Sequence, residues 1–205
     1  MNKRNYQREL DEWLANHEGE RPRLLLHCCC APCSSYVTEY LHEFFEITVF
    51  FYNPNITEEP EYIKRKEELK RYLREAPYGG EIEFLDADYE PERFLGISKG
   101  LEDEPERGAR CTKCYRLRLE ETAVAAKSGG YDVFCSTLSI SPHKDAERLM
   151  RIGEELAGIY GVPYLPSDFK KRGGYKRSIE LSGTYHLYRQ DYCGCIFSKN
   201  KKSCE

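Results

Sequence analysis

The chain has 205 residues, of which 40% are hydrophobic and 32% charged, with a formal net charge of −4. That length supports one folded core, and the acidic balance excludes a protein that coats nucleic acid by charge alone. The longest apolar run, 24–33, is too short to span a bilayer, and residues 1–17 are too charged for a secretion signal, so a cytoplasmic location is expected.

Residues 2–17 read as an amphipathic helix with Tyr6, Leu10, Trp13 and Leu14 on one face. Residues 23–27 form a short apolar strand that runs into the first cysteines. A helix is expected at 34–45 and a second strand, rich in β-branched and aromatic residues, at 47–52. Asn53-Pro54-Asn55 ends it, and Thr57 is placed to cap a helix reaching about residue 76, with Tyr62, Ile63, Lys66, Leu69 and Leu73 on its inner face. Gly79-Gly80 turns the chain into a short strand at 81–85, after which an acidic stretch reads as irregular. The remaining pattern is a helix at 111–127 closed by Gly129-Gly130, a strand at 132–136, a helix at 144–158 and a strand at 162–165. Ala146, Leu149, Met150, Gly153 and Leu156 share one face of that last helix. Strands alternating with helices predict an α/β fold of three layers around a mainly parallel sheet, as one domain over 1–205. Residues 167–205 read as a loop-rich cover over the sheet's ligand-binding edge, within the same domain.

Acidic residues crowd 88–106, whereas 170–177 and 199–202 are basic. Such a distribution suits one specific anionic partner, and equally a solvated charged surface.

The ten cysteines are the abnormal feature. In a reducing compartment they point to metal binding or redox chemistry before structural disulfides. They cluster as Cys28-Cys29-Cys30-Ala31-Pro32-Cys33, Cys111-Thr112-Lys113-Cys114 and Cys193-Gly194-Cys195. The first cluster follows a strand, at the sheet edge where α/β proteins bind ligands. The second opens a helix, whose N-terminal dipole favours thiolate over thiol. Four thiolates could hold a structural zinc, but the clusters offer more sulfur than one zinc uses. An iron–sulfur cluster also takes four, which leaves a surplus for chemistry. The expected assignment is therefore Cys29, Cys30, Cys111 and Cys114 on a 4Fe-4S cluster, with Cys193 and Cys195 as a redox pair, since a Cys-Gly-Cys disulfide is strained and labile. Cys33 stays open between cluster ligand, ligand of a second iron or other metal ion, and proton donor. Cys28 and Cys135 read as small buried residues, and Cys204 as incidental.

Leu24-Leu25-Leu26-His27 with Cys29-Cys30-Ala31-Pro32-Cys33 resembles the opening motif of QueH-type epoxyqueuosine reductases. Phe51-Tyr52-Asn53-Pro54-Asn55-Ile56 with Glu61-Tyr62 resembles the second motif. Cys111-Thr112-Lys113-Cys114-Tyr115 with Arg116, Arg118, Leu119 and Thr122-Ala123 resembles the third, and Ser136-Thr137-Leu138, Ser141-Pro142 and Lys144-Asp145 the fourth. Asp168-Phe169-Lys170-Lys171 through Arg189-Gln190-Asp191-Tyr192-Cys193-Gly194-Cys195 resembles the last. The resemblance spans nearly the whole chain in order. It implies a Rossmann-like sheet of the nucleotide-hydrolase and tRNA-thiolation (HUP-like) superfamily, and an oxidoreductase that reduces the epoxide of epoxyqueuosine at the tRNA wobble position, completing queuosine synthesis without cobalamin.

That chemistry needs two electrons, two protons and activation of a carbon–oxygen bond, for which a metal serves as Lewis acid. Tyr115, Asp145, Tyr192 and His27 are candidate proton donors, although His27, at a strand end, reads more readily as a hydrogen-bonded core residue. An external electron donor, which the sequence does not identify, completes the cycle. Lys170, Lys171, Arg172, Arg177 and Arg189 are candidate phosphate contacts for tRNA carrying epoxyqueuosine, with Tyr175, Tyr185 and Tyr188 as stacking partners for a flipped base. Two alternatives remain: a tRNA sulfur-transfer enzyme on the same sheet, and a zinc-stabilised RNA-binding module. The first needs a glycine-rich pyrophosphate loop after the first strand, where this chain has Cys29-Cys30-Ala31-Pro32.

Overall fold

The computed structural model describes residues 4–202, excepting the side chains of 200–202; Cys204 lies outside the described residues. In chain order the elements are α1 (Tyr6–Asn16), β1 (Arg23–His27), α2 (Ala31–Leu41), β2 (Glu46–Phe51), α3 (Glu59–Glu75) and β3 (Glu83–Asp86). They continue as α4 (Pro91–Ser98), α5 (Ala109–Ser128), β4 (Val133–Ser136), α6 (Ala146–Tyr160), α7 (Gly174–Thr184) and α8 (Ile196–Lys202). The four strands are all parallel in the order β3-β2-β1-β4.

Strand alternation divides the core. Leu24, Leu26, Val49 and Phe51 pack with Val37 and Leu41 of α2 and with Leu69 and Tyr72 of α3. On the opposite face Leu25, Phe50 and Phe134 pack with Leu119 and Ala123 of α5 and with Leu149 and Leu156 of α6. Both faces of the sheet are covered, as parallel strands require, and this is why β1, β2 and β4 read as continuous apolar runs. No helix among the described residues is long and apolar enough to cross a membrane.

The structure departs from the sequence-based expectations at several places: Ile63, expected on the inner face of α3, is 48% exposed, and Arg65 and Tyr72 are buried there instead. Thr57 does not cap α3; Glu58 occupies that position, and Pro60 sits in the first helical turn, where a missing N–H costs nothing. The Thr57 N–H instead donates to Gly194 O at 3.3 Å. The second helix begins earlier, at Ala31, again because a proline suits its first turn, and ends at Leu41. The acidic stretch contains α4, which Pro91 opens and whose Phe94 is buried. Residues 162–165 contribute only a single bridge, Phe134 to Tyr164, because Pro163 has no N–H for the ladder. The tail is more ordered than expected and holds α7 and α8, with α7 packed on α2.

Helix α6 offers a controlled test of packing. A Cβ built on Gly153 would lie 2.3 Å from Tyr164 Cδ1, whereas one on Gly158 meets nothing within 4 Å. Tyr164 is itself wedged against Phe134, ring centroids 5.0 Å apart. Gly153→Ala should therefore cost about 1–3 kcal/mol, and Gly158→Ala should gain about 0.5–1 kcal/mol from helix propensity. Urea unfolding midpoints would move in opposite directions.

Candidate active site

The chain leaves β1 for β2 on one side and later adds β4 on the other, so the carboxyl ends of β1 and β4 border a crevice where the strand order reverses. Cys28 ends β1's path: its N–H donates to Phe50 O at 2.9 Å, its carbonyl accepts from Asn53 Nδ2 at 2.8 Å, and its thiol is buried in the core. Cys29 then turns toward the crevice and Cys30 sits at the N-terminus of α2 with extended backbone. The sulfurs of Cys29, Cys30 and Cys33 all lie within 4.8 Å of one another, with Cys29 and Cys30 3.6 Å apart. These three thiols could hold a metal ion. Hydrogen bonds from Cys30 and Cys33, with Arg118 nearby, hold the Cys29 thiol well below the usual range. The same contact with Cys29, then burial, pushes Cys30 up to about 12, and Cys33 is raised too. The trio thus concentrates one negative charge on Cys29.

The first turns of α5 deliver Cys111, which accepts the Arg107 N–H at 3.3 Å, and Cys114, which is buried with Phe94 and Cys195. Burial pushes Cys114 up to about 12, overriding the thiolate preference expected from the helix dipole. The tail cysteines are held by backbone contacts. Cys193 O accepts from Asn55 Nδ2 at 3.2 Å and from Arg65 Nη1 at 3.3 Å, and Arg65 Nη2 reaches Tyr192 O at 3.3 Å. Arg65 is in turn locked to Glu61 at 2.7 Å. Both tail cysteines are free thiols.

Cys29, Cys33, Cys111, Cys193 and Cys195 line one cavity of about 560 Å³, together with Arg65, Arg118, Lys144 and Arg189. Arg118 is 1% exposed. Its Nη2 donates to Asn53 Oδ1 at 2.6 Å and its Nε lies 3.3 Å from His27 Nε2. Burial works against its charge, but Cys114 and Cys29 outweigh burial and hold it protonated. Lys144 Nζ lies 3.2 Å from Cys193 Sγ and 3.4 Å from Glu106 Oε1. Gln190 Nε2 donates to Cys30 Sγ at 2.8 Å.

The structure brings Cys29, Cys30 and Cys33 together as a tight group and sets Cys111 and Cys114 beside the tail pair across the same cavity. Cys28 and Cys135 are buried in the core. Among the candidate acids, burial and Arg118 lower His27 to about 3; its Nδ1 bonds Ser136 Oγ, and its Nε2 lies within reach of both Tyr52 O at 3.0 Å and Arg118 Nε at 3.3 Å, of which a neutral ring serves one at a time. Asp145 caps α6 through the Arg148 N–H. Tyr192 lines the cavity, and the Tyr115 hydroxyl is buried with no hydrogen-bond partner among the described residues. Of the basic residues, Lys170 pairs with Asp168, Arg172 with Asp11, and Arg177 with Glu39. Lys171 is exposed, and Arg189 reaches the cavity wall. Tyr175 lines the cavity too, whereas Tyr185 packs edge-on against Tyr72 and Tyr188 bonds Glu61. Sequence reasoning gave no chemistry to Arg118, Lys144, Arg65 or Gln190. For Arg118 a signal existed: Cys111, Cys114 and Arg118 are spaced to share one helix face.

A family model described as epoxyqueuosine reductase QueH matches residues 24–201. A Staphylococcus epidermidis protein named epoxyqueuosine reductase QueH is 43% identical over 200 residues, covering 96% of this chain and 83% of the relative. The protein of that name from Streptococcus pyogenes serotype M1 is 44% identical over 198 residues, covering 95% and 78%. The one from Helicobacter pylori is 36% identical over 183 residues, covering 85% and 49%.

Gly194 tests how the tail holds its cysteines. Its φ is +105°, and a Cβ there would lie 2.8 Å from Ile56 Cγ1. Gly194→Ala should cost about 1–3 kcal/mol locally. Hydrogen exchange should speed up across 188–198 while the β1 and β4 peptides stay protected.

Proposed function

The chain belongs to the epoxyqueuosine reductase QueH family, and on that premise we propose how its own cysteines carry out the reaction. The protein is an oxidoreductase that reduces epoxyqueuosine in tRNA to queuosine. An epoxide oxygen leaves as water and an alkene remains, which consumes two electrons and two protons.

Cys29, Cys30, Cys111 and Cys114 would hold a 4Fe-4S cluster, and Cys33 stands beside them as a ligand for a further iron or other metal ion. The donor set suits such a group: soft thiols from two segments, with the buried Arg118 guanidinium supplying the positive charge that an anionic metal–thiolate centre requires. Once bound, the cluster supplies one-electron transfer and Lewis acidity. Cys193 and Cys195 form the redox pair. Their conversion from dithiol to disulfide releases two electrons and two protons, so epoxide plus dithiol balances alkene, water and disulfide. An external electron donor then restores the dithiol.

Substrate enters as a flipped nucleotide, for which a cavity of about 560 Å³ has room. Lys171 and Arg189 are the first phosphate contacts, and Tyr175 is the first stacking surface. Lys170, Arg172 and Arg177 join only by exchanging their carboxylate partners for phosphate. The sheet is read as Rossmann-like, of the HUP-like type, with 167–205 as a cover of the same domain acting in the cytoplasm.

The observation that carries this reading is that Cys29, Cys33, Cys111, Cys193 and Cys195 line a single cavity although they come from three distant stretches of chain. Anaerobically purified protein should be brown and contain iron. Cys29→Ser, Cys30→Ser, Cys111→Ser and Cys114→Ser should each lose most of the iron and the visible absorption. Cys193→Ser and Cys195→Ser should keep both and lose queuosine formation on epoxyqueuosine-containing tRNA. Colourless wild-type protein loaded with zinc would instead favour the zinc-stabilised module.

A further inference from the structure

The two tail cysteines stand in different surroundings. Cys193 is partly exposed to the cavity, whereas Cys195 is 7% exposed and packed with Phe94 and Cys114. Lys144 stands just before α6, its N–H held by Ser141 O at 3.1 Å, and it is 9% exposed. Its ammonium donates to Cys193 Sγ at 3.2 Å, closer than to Glu106 Oε1 at 3.4 Å, and Glu106 is about half exposed. Burial alone would disfavour a charged lysine here, yet Cys193 and Tyr115 outweigh it and hold Lys144 protonated. The groups facing this pair are Tyr115, Cys111, Cys114 and Arg118 from α5, Glu106 from the preceding loop, and Cys195 from the tail. A buried ammonium against a sulfur at this distance is the arrangement that makes a cysteine reactive.

We propose that Lys144 is a positioning residue that makes Cys193 the reactive sulfur of the pair and leaves Cys195 as the resolving thiol, an inference that rests on reading the two as a redox pair. As the disulfide forms, the Cys193 thiolate sulfur bonds to the Cys195 sulfur. Two electrons pass to the substrate's carbon–oxygen bond, and the Cys195 proton and one solvent proton leave with the oxygen as water. Lys144 acts through Cys193 and keeps its own charge.

The test is pulsed iodoacetamide labelling of the reduced, anaerobic holoenzyme across about pH 6–9, read by peptide mass spectrometry. Near pH 7 the wild type should label Cys193 about tenfold faster than Cys195. Lys144→Met should slow Cys193 about tenfold, while Lys144→Arg restores most of the rate. Unchanged iron content would verify the fold of each variant. A Lys144→Met profile that superimposes on wild type, or faster labelling of Cys195, overturns the proposal. Should Lys144→Met lose iron, Glu106→Gln decides: freeing Lys144 from its carboxylate should raise the Cys193 rate, and no rise overturns the proposal. The redox-pair reading is tested apart, by looking for a Cys193–Cys195 disulfide in wild type after turnover of epoxyqueuosine-containing tRNA. If the disulfide never forms while Lys144-dependent labelling holds, the redox pair and the resolving role of Cys195 fall and only the hold of Lys144 on Cys193 stands; the reverse pattern sinks the role of Lys144 alone.

Discussion

A guanidinium buried to 1% exposure with no carboxylate partner among the described residues is the constraint from which the site follows. Burying an unpaired charge is prohibitively costly, so Arg118 must meet compensating negative charge, and the groups within its reach are sulfur. Asn53 and His27 fix the orientation of the guanidinium through neutral contacts and add no charge of their own. His27 is kept neutral by its burial and by Arg118 itself. The charge therefore falls to the thiols, and it settles on Cys29, the sulfur that Arg118 and two neighbouring thiols all stabilise. Arg118 reaches from α5 across β1 to the end of β2, so the same residue that sets the electrostatics also ties together the elements carrying the first two cysteine clusters.

The third cluster reaches the cavity by a different device. Arg65 on α3 is buried but fully paired with Glu61, so it carries no unmet charge and serves as a clamp on backbone carbonyls. Asn55 adds a second donor to Cys193 O, and Gly194 turns with a backbone that a side chain would disturb. The segment is thus held by its main chain while its two thiols stay free of structural duty. Lys199, paired with Glu58 at 2.8 Å, extends the same attachment past the cysteines.

What the sequence disclosed follows from periodicity and clustering. β1, β2 and β4 were legible because strands buried on both faces leave uninterrupted apolar runs. That the three cysteine clusters would meet was legible because clustered cysteines are rare in reducing compartments, and Cys29, Cys33, Cys111, Cys193 and Cys195 do line one cavity. Helix α7 was not, since Gly173, Gly174 and Gly183 imitate loop composition, and α8, at seven residues, is too short to show a period. Gly174 is there because Tyr36 and Phe169 O press on it where α7 crosses α2. The basic run at 170–177 could be counted in sequence but its partners could not, because Asp11 and Glu39 come from α1 and α2. Lys144 stood in the sequence only as part of the fourth motif and at the start of a helix; its partner Cys193, forty-nine positions away, comes beside it only in the fold.

Under the roles proposed for the cysteines, two cations, Arg118 and Lys144, divide one cavity between two kinds of sulfur. Arg118 is immobile, hydrogen-bonded to neutral groups and aimed at Cys29 and Cys114; a fixed charge suits a centre whose ligands should not move. Lys144 is a flexible stem with a compact ammonium shared between Cys193 and Glu106; a shared charge suits a sulfur that must gain and lose bonds. The two positions differ in what they demand. A lysine in place of Arg118 could not hold Asn53 while lying against His27, whereas a guanidinium at position 144 would still set a cation against Cys193. On the proposed assignment, the difference between a sulfur that holds a metal and one that passes electrons follows from which cation each sulfur meets.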